Sequence, residues 1–292
     1  MKRVDLFVID GQKDFCDPAG SLYVKGAELE ALAVAAMISR LKDRKVSTGH
    51  KVFKIHASLD SHPKNDCSNH QTWVDRQGNV APPFTIVTND DVKNQVWRPR
   101  FAYGVWEGQI VSSLDWADNY TAKLAKEGRA PLCLWPPHCE IGRPGSNIYP
   151  CLADAYDEWC ETTGMWIDFI TKGFWAWTEH YSALRADVID STVQATQLNT
   201  AVINDANEAD LILWCGWAGS HCLRWTALDA VNYFGAGNNP FLEKSIFFTD
   251  ASAPVPNPPG PNAPDFVQWR ADFLAEVVSR GAKTMTTAEF LA

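Results

Sequence analysis

The feature that most constrains this chain is an alternation of short, continuously apolar runs with longer segments of helical periodicity. The runs "VDLFVID" (4–10), "KVFKIHASLD" (51–60), "PLCLW" (131–135), "MWIDFITKG" (165–173), "DLILWCGWA" (210–218) and "KSIFFTD" (244–250) read as strands. Helical patterns occupy 26–44, the region of 151–163, the segment ending at Asn207, the residues after Cys222, and 265–281. A strand apolar on both faces must be covered on both faces, and strand–helix alternation makes the pairing parallel. The expectation is an α/β fold: one domain, 1–292, built on a Rossmann-like parallel sheet of about six strands with helices on both faces. Two stretches stand outside the alternation. Residues 76–130 read as an insertion with its own helix near "SLDWADNYTAKLAKEG", and "SAPVPNPPGPNAP" (252–264) reads as a surface strap.

Charge and cysteine content narrow the partners. A net charge of −9 with no basic run argues against nucleic acid and anionic membrane. No apolar run has the length to span a bilayer, and the opening run stops at Asp10, unlike a signal peptide. The eight cysteines form no CxxC pair, which fits reduced thiols in a cytoplasmic protein. The thirteen tryptophans leave two readings, core packing or an aromatic-lined pocket.

In an open parallel sheet, ligands bind beyond the carboxyl ends of the strands. The first strand ends in Asp10 and the second in Asp60, with His62 two residues on. The third runs into "WPPHC", which carries His138; the fourth ends in Lys172; the fifth leads to Cys222 at the mouth of a helix. Each alone has an ordinary explanation, since Asp is common in turns and Lys commonly reaches solvent. Together they form two sets. Asp10, Lys172 and Cys222 supply a base, a cation and a thiol, and the helix N-terminus with Lys172 favours a thiolate. Asp60, His62 and His138, with His70 nearby in "NHQTW", suit a divalent metal with open positions.

These residues sit in motifs that resemble a known family. "VIDGQKDFCDPAGSLYVKGA" (8–27), "DSHP", "LWPPHCEIGRPGS" (134–146), "TKGFWAWTEHYSA" (171–183) and "CGWAGSHCLRWTALDA" (215–230) are similar, in this order, to the motifs of nicotinamidases and the wider isochorismatase-like cysteine hydrolases. The resemblance covers the chain apart from 76–130. It implies a catalytic triad of Asp10, Lys172 and Cys222, and a metal site of Asp60, His62 and His138, with His70 as a fourth ligand in some members. The metal it implies is usually zinc, with iron or manganese as alternatives. Phe15 and Trp135 match aromatics that sandwich the substrate ring, and a cis peptide is implied at Trp217–Ala218, with the Ala218 and Cys222 N–H groups as oxyanion hole. The sequence departs from the family at Gly219–Ser220, where many nicotinamidases carry Thr-Asp, and in the long insertion.

The implied activity is hydrolysis of nicotinamide, or a related pyridine or pyrazine carboxamide, to acid and ammonia through a Cys222 thioester. The alternatives are the same chemistry on another small amide, ureide or carbamoyl compound, or a non-catalytic, metal-stabilised binding or scaffold protein. The resemblance also implies a homo-oligomer.

Overall fold

The computed structural model describes residues 2–42, 50–235, 240–258 and 263–292. Its centre is a six-stranded parallel sheet of β1 (Lys2–Ile9), β2 (His50–Asp60), β3 (Asp168–Lys172), β4 (Leu211–Gly216), β5 (Ser245–Phe248) and β6 (Lys283–Met285). The order across the sheet is β6-β5-β4-β1-β2-β3. The chain winds outward from β1 through β2 to β3, then returns to place β4 on the other side of β1. The β1/β4 boundary is therefore the topological switch point, where a crevice opens beyond the strand ends. The main helices are α1 (Ala27–Lys42), α2 (Ser113–Lys126), α3 (Pro150–Thr163), α4 (Thr200–Asn207), α5 (Cys222–Tyr233) and α6 (Phe266–Ser279). No helix among the described residues is long and apolar enough to cross a membrane.

The expected strand count holds, but its membership differs. Leu132–Leu134, from "PLCLW", pairs antiparallel with Thr85–Val87 outside the central sheet. A three-residue apolar run fits any buried strand, so its pattern could not say which sheet it joins. The sixth strand is instead Lys283–Met285, an edge strand with two exposed residues and no apolar run to mark it. Asp43 and Arg44 of the expected first helix, and residues 259–262 of the strap, lie outside the described residues.

Residues of the 76–130 stretch build a second core with Cys67, Trp73, Leu132, Leu134 and Val188. Trp116 is its hub, stacked on Tyr120 at 5.3 Å and meeting Trp177 edge-on at 5.7 Å. Most tryptophans are thus packing residues, and Trp135 is the one that lines the cavity beyond the strand ends.

Candidate active site

Each chemical group arrives from a different strand end. Asp10 follows β1 and has φ +51°, a left-handed conformation that Asp tolerates better than most residues. Ser58 of β2 pins it twice: the Asp10 N–H donates to Ser58 Oγ at 3.0 Å, and that hydroxyl donates to Asp10 Oδ1 at 2.6 Å. Lys172 ends β3 and is 2 % exposed. Its Nζ stands 2.9 Å from Asp10 Oδ2, 2.9 Å from Asp60 Oδ1 and 3.7 Å from Cys222 Sγ. Cys222 is the first residue of α5. The Trp217–Ala218 peptide is cis. Neither the Ala218 N–H nor the Cys222 N–H donates to an acceptor among the described residues.

Burial changes the expected charge state of the thiol. Burial pushes Cys222 well above the usual thiol range; Lys172 opposes this, and the Asp10 and Asp60 carboxylates reinforce it. Lys172 does not outweigh that desolvation, which favours the thiol over the thiolate expected from sequence. Burial also raises Asp10, against the pull of Lys172. For Lys172, burial works downward, but Asp10, Asp60 and Cys222 together hold it well above the normal lysine range, so it stays an ammonium. A proton-accepting carboxylate, a permanent cation and a protonated thiol thus share one buried space, which is what general-base activation of a nucleophile requires.

The second set adjoins the first through Asp60. Its Oδ2 lies 2.9 Å from His62 Nε2 and 3.3 Å from His138 Nε2. His138 Nδ1 lies 2.8 Å from the Pro136 carbonyl, so it must carry the proton, and Nε2 presents a lone pair. His62 hydrogen-bonds Asp60 Oδ2 through Nε2, and its Nδ1 stands 3.1 Å from Asp66 Oδ2 without hydrogen-bond geometry. One ligand atom each of Asp60, His62 and His138 lies within 4.8 Å of the other two. Two imidazoles with a carboxylate form a donor set for a divalent ion. Burial by itself would lower His62, but Asp60 and Asp66 hold it well above the normal histidine range. The site therefore attracts positive charge. The residues present fit a metal.

His70 is not brought into this group. Its Nδ1 lies 2.7 Å from the Ala81 carbonyl, and its backbone N–H donates to the Trp135 carbonyl. Phe15 and Trp135 do line the cavity, together with Asp60, His138, Lys172, Ala218 and Cys222. Phe15 meets His138 edge-on at 5.5 Å, and Trp135 Nε1 donates to Tyr181 Oη at 3.2 Å.

Sequence reading missed five further wall residues: Leu22, Glu179, Tyr181, His221 and Val255. Glu179 is the most consequential, because burial lifts its carboxyl to about 7 beside the His62–Asp66–Asp60 charges. A lone glutamate in the aromatic stretch "FWAWTEHY" was the signal available for it. Gly219 explains one departure from the family pattern. A Cβ there would stand 2.1 Å from the Ser252 carbonyl, so the strap passes too close for Thr. The neighbouring Ser220 Oγ accepts from the Val255 N–H at 3.1 Å and contacts His221 Nδ1 at 2.8 Å, which fixes two wall residues.

No family model and no curated protein sequence matches this chain. Solved structures do. The yeast nicotinamidase Pnc1p superposes over 97 % of this chain and 99 % of its own, with TM-score 0.60 and 18 % identity. An Acinetobacter baumanii nicotinamidase/pyrazinamidase covers 99 % of both chains at TM-score 0.59 and 19 % identity. An isochorismatase-like hydrolase from Alkaliphilus metalliredigens covers 99 % of this chain and 97 % of its own at TM-score 0.51 and 14 % identity. At this identity the likeness shows the fold, which is that of the isochorismatase-like hydrolases.

Proposed function

We propose that this chain is a cysteine amidohydrolase of small carboxamides, with nicotinamide or a close pyridine or pyrazine relative as substrate. The observation that carries the reading is the position of Lys172 Nζ, in contact with Asp10, Asp60 and Cys222 Sγ at the wall of an aromatic-sided cavity. A scaffold has no use for a buried ammonium held against a thiol. The fold shared with solved nicotinamidases supports the same reading.

In this account Phe15 and Trp135 take the flat faces of the substrate ring. Asp10 accepts the Cys222 proton as the sulfur attacks the carboxamide carbon. Lys172, 3.7 Å from the sulfur, balances the negative charge as it develops. The unpartnered N–H groups of Ala218 and Cys222 receive the oxyanion. Asp10 then returns its proton to the departing ammonia, leaving a Cys222 thioester. Asp10 next takes a proton from water as the water attacks the thioester; the acid leaves and the thiol is restored. A divalent cation held by Asp60, His62 and His138, zinc by the donor set, would supply a Lewis acid that a ring nitrogen can bind.

Ammonia release from a panel of nicotinamide, pyrazinamide, benzamide, a ureide and a carbamoyl compound tests the reading. Turnover confined to the aza-aromatic amides supports it. Turnover of the ureide or carbamoyl compound alone moves the chemistry to another substrate, and no turnover of any of them removes it.

A further inference from the structure

The loop between Lys172 and Gln194 contains no helix or strand among the described residues, yet it presents Glu179 and Tyr181 to the catalytic cavity. A segment without a backbone ladder takes its shape from the groups that bond to it. Many of those groups come from the 76–130 stretch. Trp116 Nε1 of α2 donates to the Trp177 carbonyl at 3.2 Å, and the Glu179 N–H donates to Tyr120 Oη of the same helix at 3.0 Å. Lys123 Nζ donates to the Ile189 carbonyl at 3.3 Å. Beyond the helix, Arg129 Nε donates to Asp187 Oδ1 at 2.7 Å. Asp187 carries that hold to the wall: its Oδ2 accepts the Tyr181 N–H at 3.1 Å, and its own N–H donates to the Glu179 carbonyl at 2.8 Å. The same guanidinium reaches the helix of the nucleophile. Nη1 and Nη2 donate to Asp229 Oδ1 and Oδ2 of α5 at 2.8 and 3.3 Å, and the guanidinium lies 4.2 Å from the Trp225 ring centroid. The side chains of Arg129, Asp187 and Asp229 are all buried.

We propose that the 76–130 stretch sets the substrate-facing wall of the catalytic cavity, with Tyr120 and Arg129 as positioning residues that fix Glu179 and Tyr181 relative to Cys222. Neither Tyr120 nor Arg129 lines the cavity, so each acts through the loop. Buried, charge-assisted hydrogen bonds hold a geometry more firmly than exposed ones. The planar fork of Arg129 spans two carboxylates on different elements, which a point charge does not do. Because α5 begins at Cys222, this bridge ties the wall and the nucleophile to one cation. Asp10 and Lys172 are held by the sheet instead, through Ser58 and the end of β3. A displaced wall therefore loosens the fit of the substrate and leaves the reacting groups in place. The effect on KM rests on the amidohydrolase reading; the effect on access to Cys222 does not.

The test uses two conservative variants of the full chain. Tyr120→Phe removes only the hydroxyl that accepts the Glu179 N–H, and Arg129→Lys keeps the charge but not the fork. Alkylation of Cys222 is followed by peptide mass spectrometry with a small reagent, iodoacetamide, and a bulky one, N-phenylmaleimide. Both reagents need the thiolate, so their rate ratio cancels any change in its population and reads the room beside the sulfur. In both variants the ratio of bulky to small should rise about threefold or more, and KM for nicotinamide should rise to a similar degree with kcat per alkylatable Cys222 within about twofold of wild type. Cys215, buried in the main core, should stay as protected as in wild type. A ratio and a KM equal to wild type in the folded variants overturn the proposal. Labelling of Cys215 in step with Cys222 also overturns it, since that is general loosening and not a moved wall. If one variant does not fold, the other decides. If wild type turns over no amide, the amidohydrolase reading fails and the alkylation ratio alone decides the position of the wall.

Discussion

One carboxylate joins the two chemical sets: Asp60 meets Lys172 Nζ through Oδ1 at 2.9 Å, and His62 and His138 through Oδ2 at 2.9 and 3.3 Å. Removing that charge should disturb both sets at once. Asp60→Asn is expected to lower metal occupancy and also to change the alkylation profile of Cys222, because Lys172 loses one of its two carboxylate partners. His138→Ala should lower occupancy and leave the metal-free alkylation profile near wild type. Metal analysis with iodoacetamide kinetics on chelated protein checks both. Identical profiles for Asp60→Asn and wild type would mean that the sets are independent.

Lys172 is the cation that opposes the burial of the Cys222 thiol. Lys172→Ala should move the pH profile of Cys222 alkylation further upward, by about one unit or more, and cut kcat by about two to three orders of magnitude. Lys172→Arg should not rescue fully, since a planar fork does not fit where a compact ammonium touches three groups. Superimposable profiles in wild type and Lys172→Ala would remove Lys172 from the mechanism.

A cation held by Asp60, His62 and His138 would make the ring nitrogen of the proposed substrate matter. Nicotinamide and pyrazinamide should be hydrolysed by several orders of magnitude better than benzamide, which has the same shape and no ring nitrogen. Comparison of kcat/KM across the three decides it, and equal values would mean that the cavity recognises shape alone.

His56 is expected to give a pH-dependent term in stability. It stacks on Phe7 at 4.4 Å, and its Nδ1 lies 2.7 Å from Asp168 Oδ2, while Nε2 lies 3.5 Å from Asp5 Oδ2. Burial works against its charge, but Asp168 and Asp5 raise it above the normal histidine value. A raised folded value contributes stability that is full below about pH 6.5 and is lost as pH rises through the folded value. His56→Gln should therefore cost more stability near pH 6 than near pH 9 in urea melts. A cost that is flat or grows with pH would contradict the ion pairs.

The grouping of Asp10, Asp60, Lys172 and Cys222 was legible in the sequence because each follows an apolar run, and the sheet brings run ends to one rim. Asp10, Asp60, Lys172 and Cys222 needed only that topology. The rest depended on quantities a linear pattern does not carry. The charge state of Cys222 depends on how deeply its helix start is buried. The fate of His70 depends on the Ala81 carbonyl, eleven residues away and brought near by a loop. Glu179 and Val255 reach the cavity through loops, one braced by a Tyr120 hydroxyl that accepts from the Glu179 N–H at 3.0 Å, the other by Ser220. The six-strand expectation exchanged Leu132–Leu134 for Lys283–Met285, because edge strands need no apolar signature.

The central claim is that Cys222 carries the acyl group during turnover. Rapid acid quench of enzyme turning over nicotinamide, followed by peptide mass spectrometry, tests it most directly. The account predicts a nicotinoyl thioester on the peptide containing Cys222 and on no other cysteine peptide, and neither adduct nor ammonia release in folded Cys222→Ala. Sustained ammonia release by Cys222→Ala, or an acyl group mapped to Cys139 or Cys16, would contradict it.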